Sequence, residues 1–228
     1  METLDNRMKT VADMVRCGVR IADVGCDHGM LITELCEKGK ILGGVATDIN
    51  EGPLNKARFR VMGLNLEDKI DLLRTDGLDG VDENMVEDVV IAGMGGELIF
   101  KIISDCPWSR NPEKSFVLQP MTKAVYLRQA LLAAGFGIDE ERAAVAVNRH
   151  YSVMRCHYCG EKRNLSEFDE YLYVGELPRC PSPQAGAYME GEMHLLLKKA
   201  EGLKEKDPTL SQKYFEVVER IGKLKEGL

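Results

Sequence analysis

The chain has 228 residues, 44% of them hydrophobic, and a formal net charge of −7, so it is long enough for one large domain with an appendage and apolar enough for a real core. No 18-residue apolar run is present and the first residues are acidic and polar, so neither a membrane span nor a signal peptide is expected. Seven cysteines at irregular spacing read as reduced thiols, which points to the cytoplasm.

Taken in chain order, Leu4, Met8, Val11 and Val15 repeat at helical spacing over 3–16, with Thr3 as the expected cap. A strand is predicted over 20–24, a helix over 28–38, and a strand over 41–47 ending at Asp48. A helix over 53–62 follows, with Pro53 in its first turn. A strand over 69–74 ends in Thr75-Asp76-Gly77, and a fully apolar strand over 88–92 ends at Gly93 before a helix over 97–104. A strand over 115–118 ends at Gln119-Pro120, a helix covers 123–134, and two longer strands lie near 137–147 and 150–158. This alternation predicts an α/β fold with a mainly parallel, doubly wound, Rossmann-like sheet and an antiparallel end. Further on, Met189, Met193, Leu196, Ala200 and Leu203 are spaced four and three apart, and so are Leu210, Tyr214, Val217, Ile221 and Leu224. With a turn at Asp207-Pro208-Thr209 between them, they predict an antiparallel helical hairpin of coiled-coil type over 184–228. A proline-bearing linker over 177–183 would join it to a domain over 1–176. Both a plain helical cap on the sheet and an arm that contacts RNA or a second copy stay open.

Ligands of such sheets bind at the carboxyl ends of the strands, and each motif falls at such an end. Residues 21–31 read Ile-Ala-Asp-Val-Gly-Cys-Asp-His-Gly-Met-Leu. Gly25 and Gly29 leave room for a nucleotide-like ligand to approach the backbone, but the turn lacks the G-x-G-x-x-G that cradles a pyrophosphate. Asp23 and Asp27 would repel a diphosphate and suit a cationic ligand. S-adenosylmethionine is a nucleoside carrying an ammonium and a sulfonium. Asp48 ends the second strand, where an acid accepts both ribose hydroxyls or else caps the next helix; Ile49 and Asn50 continue that wall. Asp76, with Gly77 and Leu78, is placed to accept an adenine amino hydrogen, although Asp-Gly is also a common turn. Ala92-Gly93-Met94-Gly95-Gly96 puts three glycines in four residues, so a flat base can lie on Gly95 and Gly96 beside the methyl donor, or the segment is a tight turn. Cys26 reads as a small packing residue, and Cys156-His157-Tyr158-Cys159 as a turn with incidental thiols; no metal site is expected.

The overall charge argues against a nucleic-acid partner, but residues 98–163 carry ten Lys/Arg against six Asp/Glu. Lys101, Arg110, Lys114, Lys123, Arg128, Arg149, Arg155, Lys162 and Arg163 make up most of that excess. RNA contact by this segment stays open beside a solvated face of mixed charge.

Together Asp23-Val-Gly-Cys-Asp-His-Gly-Met-Leu, Thr47-Asp-Ile-Asn-Glu-Gly-Pro, Arg74-Thr-Asp-Gly-Leu and Ile91-Ala-Gly-Met-Gly-Gly-Glu-Leu-Ile resemble the bacterial tRNA (adenine-N1)-methyltransferases of the TrmK type. Phe116-Val-Leu-Gln-Pro and His150-Tyr-Ser-Val extend the match over nearly all of residues 1–160. The chain departs from that family at Cys26, where serine is usual, at Gly29-Met30, where Ala-Tyr is usual, and at Met121, which replaces asparagine. The resemblance implies a class I methyltransferase fold, S-adenosylmethionine as donor, and formation of 1-methyladenosine at position 22 of the tRNA D-arm. The same cofactor motifs serve class I enzymes that modify another RNA, a protein or a small molecule. On this reading Asp27, with His28 as runner-up, holds the amino group or positive charge of the methylated base. Gly95, Gly96, Gln119 and Pro120 meet the base, and Arg7 and Arg149 meet phosphate. tRNA is the expected partner, with neither DNA nor membrane, and the chain is expected to act as a monomer or weak dimer.

Overall fold

The computed structural model describes residues 3–147 and 149–228; Met1 and Glu2 of the expected first domain, and Asn148 between its last two strands, lie outside them. A first helix α1 (Asn6–Met14) precedes β1 (Arg20–Val24), α2 (Met30–Glu37), β2 (Gly43–Asp48), α3 (Glu51–Gly63) and β3 (Ile70–Arg74). Then come β4 (Asp88–Gly95), α4 (Gly96–Asp105), β5 (Ser115–Thr122), α5 (Ala124–Ala134), β6 (Phe136–Ala146) and β7 (Arg149–Tyr158). The chain closes with the short α6 (Tyr171–Val174) and the long α7 (Pro183–Leu203) and α8 (Pro208–Glu226).

The seven strands form one sheet in the order β3-β2-β1-β4-β5-β7-β6. β1 to β5 pair with one another in parallel, while β7 is antiparallel to both β5 and β6, as the alternation predicts. Successive residues of each strand face opposite sides, so Ile21, Ala46 and Val90 pack under α1, α2 and α3. Ala22, Val45, Val89 and Ile91 pack under α4 and α5 on the other side. Burial on both faces explains the unbroken apolar runs. The strand order reverses between β1 and β4, and the crevice at their carboxyl ends is where a doubly wound sheet takes its ligand.

Three local expectations are corrected. α1 is capped by Asp5, whose carboxylate accepts Met8 N at 2.7 Å, not by Thr3. α2 starts at Met30 rather than His28, because Asp27 and Gly29 both have positive φ and keep the chain in a turn. Residues 177–183 are no loose linker: Leu177 is buried in a short 3₁₀ turn, and Ser182 and Pro183 already open α7. Asp207 caps α8 through Leu210 N at 2.9 Å, as the turn motif predicts.

The hairpin of α7 and α8 has its own apolar core of Met189, Leu196, Ala200, Tyr214, Val217 and Ile221, joined by Leu172, Tyr173 and Val174 of α6. A buried ion pair fastens it to the sheet. Arg128 of α5 and Glu141 of β6 are both inaccessible to solvent, with Arg128 Nη2 2.6 Å from Glu141 Oε1. Arg128 Nη1 donates to the Leu172 and Tyr173 carbonyls at 2.8 and 3.1 Å. Glu141 also accepts from Ser152 Oγ and from Glu176 N. Burial works against the arginine's charge, but Glu141 beside it outweighs that and holds the guanidinium above its usual range. Nothing but glycine fits at 175, where φ is +53° and a Cβ would stand 1.7 Å from Glu141 Oε2. Removing one member of such a pair strands a buried charge. Arg128→Ala is therefore expected to lower unfolding stability by about 3–5 kcal/mol, read from the denaturant midpoint.

Candidate active site

Two cavities flank the crevice. One, of about 510 Å³, is lined by Leu4 and Asp5 just before α1, by Arg7 and Met8 of α1, and by Asp23, Gly25, Cys26, Asp27 and His28 from the first strand end. Ala92 and Gly93 close it. The other, of about 280 Å³, is lined by Asp48, Ile49, Asn50, Asp76, Gly77, Met94, Leu98 and Ile102, and shares Gly25, Ala92 and Gly93 with the first. Together they make a groove over the ends of β1, β2 and β4.

Gly25 sits at the junction with φ +68°, and a Cβ there would stand 2.3 Å from Met94 Cε, so any side chain would invade the groove. Its neighbour Cys26 is tied by its amide to Thr47 O at 2.9 Å. Burial, followed by the charges of Asp23, Asp48 and Asp27, pushes its thiol far above the ordinary range. It stays protonated and fills space.

Asp23 is the unusual group. It is 5% exposed, and its Oδ2 has no hydrogen-bond partner among the described residues. Burial pushes its carboxyl up to about 7, with the Ile32 amide in the first turn of α2 working the other way. An orphaned carboxylate facing a cavity is what an ammonium-bearing ligand completes. At the far wall Asp48 spends Oδ1 on Asn50 N at 2.8 Å, which shapes the turn into α3 without capping its first amides. Thr47, fully buried, links this wall to the next strand end by donating to Gly77 O at 2.9 Å.

At the mouth, Asp27 is exposed and has φ +51°, a conformation that non-glycine residues rarely adopt. Its Oδ1 lies 3.3 Å from His28 Nε2, which is also 2.9 Å from Lys56 Nζ on α3. The sequence brings Asp27 and His28 together by adjacency, but Lys56 carried no signal of its own. Leu98 and Ile102 of α4 were also missed, because on a helix they read as ordinary packing residues.

The structure moves several expected substrate contacts. Gln119 and Pro120 are buried, so neither side chain reads a base edge. β4 bulges at Gly93, pairing with β5 continues to Gly95 opposite Thr122, and Met121 is the first residue to emerge. Gly96 is buried too: a Cβ would stand 2.5 Å from Lys123 O, so it lets α4 pack against the start of α5 and forms no floor. Gly95 remains beside the groove. Arg7 lines the cofactor-sized cavity instead of an outer face. Arg149 is exposed where β7 begins, on the side where β5 ends. Of the basic segment, Arg128 and Lys114 are buried, while Lys101, Lys123 and Arg155 pair with Asp105, Glu97 and Glu140.

Residues 4–154 match the protein family described as "Methyltransferase domain". The chain belongs to that family. Its methyltransferase domain is accompanied by a wider likeness. The tRNA (adenine(22)-N(1))-methyltransferase of Bacillus subtilis (strain 168) is 29% identical over 151 residues, which are 66% of this chain and 63%, less than two thirds, of that protein. Streptococcus pneumoniae Sp1610, described as a candidate tRNA (m1A22) methyltransferase, is 27% identical with a TM-score of 0.84, covering 98% of this chain and 100% of that one. The same protein in complex with S-adenosyl-L-methionine gives 27% identity and a TM-score of 0.81 over 96% and 99% of the two chains. The TrmK-type resemblance carried by the motifs therefore extends through the helical hairpin. No helix among the described residues is long and apolar enough to cross a membrane.

The raised Asp23 carboxyl has a consequence for stability. Because the folded state holds this proton up to about pH 7, the wild type loses stability relative to its unfolded chain as pH rises from about 4 to about 7. Asp23→Asn removes the buried charge. It should melt above the wild type at about pH 8 and converge with it at about pH 4, as read from paired thermal melts.

Proposed function

We propose that this chain transfers a methyl group from S-adenosylmethionine to N1 of an adenosine in tRNA, at position 22 of the D-arm. The observation that carries this is the groove with a buried carboxylate at one end, one of its oxygens without a partner among the described residues, and a ribose-ready acid at the other. The likeness to the Bacillus subtilis enzyme adds the substrate.

When bound, the cofactor supplies an electrophilic methyl on a sulfonium. Asp23 would receive its ammonium and Arg7, from α1, its carboxylate. Asp48 would take the ribose hydroxyls, with Ile49, Leu98 and Ile102 against the adenine faces and Asp76 toward its amino group. Adenine N1 has an in-plane lone pair, so no base is needed before attack. The protein's task is to take the adenosine out of its stack and align N1 with the methyl. The product base is cationic, and Asp27 at the mouth, with His28 against it, stabilises that charge or takes the amino proton. Gly95 and the emerging Met121 face the base, and Arg149 on the rim meets phosphate. The seven free thiols suit the reducing cytoplasm, where tRNA is processed.

One observation favours a second reading. With Arg128 and Lys114 buried and Lys101, Lys123 and Arg155 paired, the basic segment offers less free positive charge than its composition suggests, which suits a protein or small-molecule substrate. Methyl transfer to unmodified tRNA transcripts carrying adenosine or guanosine at position 22 separates the two, with Asp27→Ala as the inactive control. Nuclease digestion and mass spectrometry should find 1-methyladenosine only in the adenosine transcript. Cofactor binding with neither RNA methylated would transfer the assignment to the second reading.

A further inference from the structure

Gln119 is fully buried, yet its amide touches three separate walls of the site. Its Oε1 accepts from Arg7 Nη1 at 2.5 Å and from Gly93 N at 3.1 Å. Its Nε2 donates to Pro120 O at 2.8 Å and lies 3.8 Å from Met121 Sδ. Both lone pairs and both protons are therefore spent on protein groups. Arg7 belongs to α1 and lines the cavity beside Asp23; Gly93, at φ +82°, is the bulge shared by both cavities; Pro120 and Met121 lead to the exposed end of β5. A buried amide that loses any one of these partners is left unsatisfied, so the walls cannot shift independently without cost.

We propose, resting on the function given above, that Gln119 is a positioning residue that couples the cofactor tail site to the substrate loop. A ligand carboxylate that engages Arg7 fixes the guanidinium. The guanidinium fixes the Gln119 amide, and the amide fixes the Gly93 bulge and the Pro120 carbonyl behind Met121. Whatever orders that loop for RNA also orders Arg7 for the cofactor, and by linkage each ligand tightens the other by the same factor.

The test is the affinity of the intact protein for a tRNA transcript, with and without saturating S-adenosylhomocysteine. The wild type should bind RNA at least about fivefold more tightly when the cofactor product is present, the lower range of such couplings. Gln119→Met, close in volume but unable to bridge, should bring that ratio to about one. Gln119→Glu keeps the shape and the acceptor for Arg7 and Gly93 but loses the donor to Pro120 O, so it too should bring the ratio near one while S-adenosylhomocysteine still binds; a merely space-filling role would leave this near-isosteric variant at the wild-type ratio, which would overturn the proposal. If Gln119→Met does not fold, Arg7→Met breaks the same link from the cavity side and should also give a ratio near one. A wild-type ratio in the folded methionine variant, or in Arg7→Met, overturns the proposal. A wild type that binds S-adenosylhomocysteine but shows no coupling overturns it while leaving the methyltransferase reading intact. A wild type that binds no S-adenosylhomocysteine overturns both.

Discussion

The ligand end of this sheet is organised around one buried carboxylate with an oxygen that has no partner among the described residues. Asp23 stands at the end of β1, beside the point where the strand order reverses, with its Oδ2 buried and unpaired. A neutral side chain at that position would cost the empty protein less, and the elevation of its carboxyl to about 7 reflects that penalty. Keeping the acid makes sense only for a ligand that brings a positive charge. The surrounding turn serves the same end: Gly25 leaves the approach open, and the positive φ at Asp27 turns a second carboxylate toward the mouth. Strain and desolvation are thus concentrated where a ligand relieves them.

The remaining structure supplies rigidity for that crevice. The five parallel strands, covered on both faces, hold their carboxyl ends at fixed spacing. Hydrogen bonds then cross between strand ends: Cys26 N to Thr47 O, Thr47 Oγ1 to Gly77 O, and Gly93 N to Gln119 Oε1. The hairpin is fastened at some remove by the Arg128–Glu141 pair, whose guanidinium and carboxylate together satisfy backbone groups of α6 and the segment after it. This buried pair ties α6 to the sheet, and with it the apolar core that α6 shares with the hairpin.

The fold was legible because β1, β2 and β4 are largely apolar runs stopped by glycine or an acid, and β1 matches its predicted span. The acids of the cofactor groove were legible for the same reason, since strand ends in such sheets face the ligand. Helix starts were less so: the delay of α2 to Met30 depends on backbone conformations at Asp27 and Gly29 that residue type only hints at. The substrate side was read least well. A bulge at Gly93 prolongs β5 by four residues beyond Leu118, which buries Gln119 and Pro120 and advances Met121 to the surface. Nothing in the residue order announces that bulge. Charge counts misled in a similar way, because Arg128 and Lys114 add to the basic excess while lying inside the protein.

The most direct test of Asp23 as the cofactor's counter-charge is calorimetric titration with S-adenosylhomocysteine at about pH 6.5, in buffers of different ionisation heat. The account predicts that binding drives the proton off Asp23, releasing about half a proton or more per site. Affinity should rise between about pH 6 and pH 8, and the release should vanish in Asp23→Asn. Binding of equal strength across that range, with no proton exchanged, would contradict it.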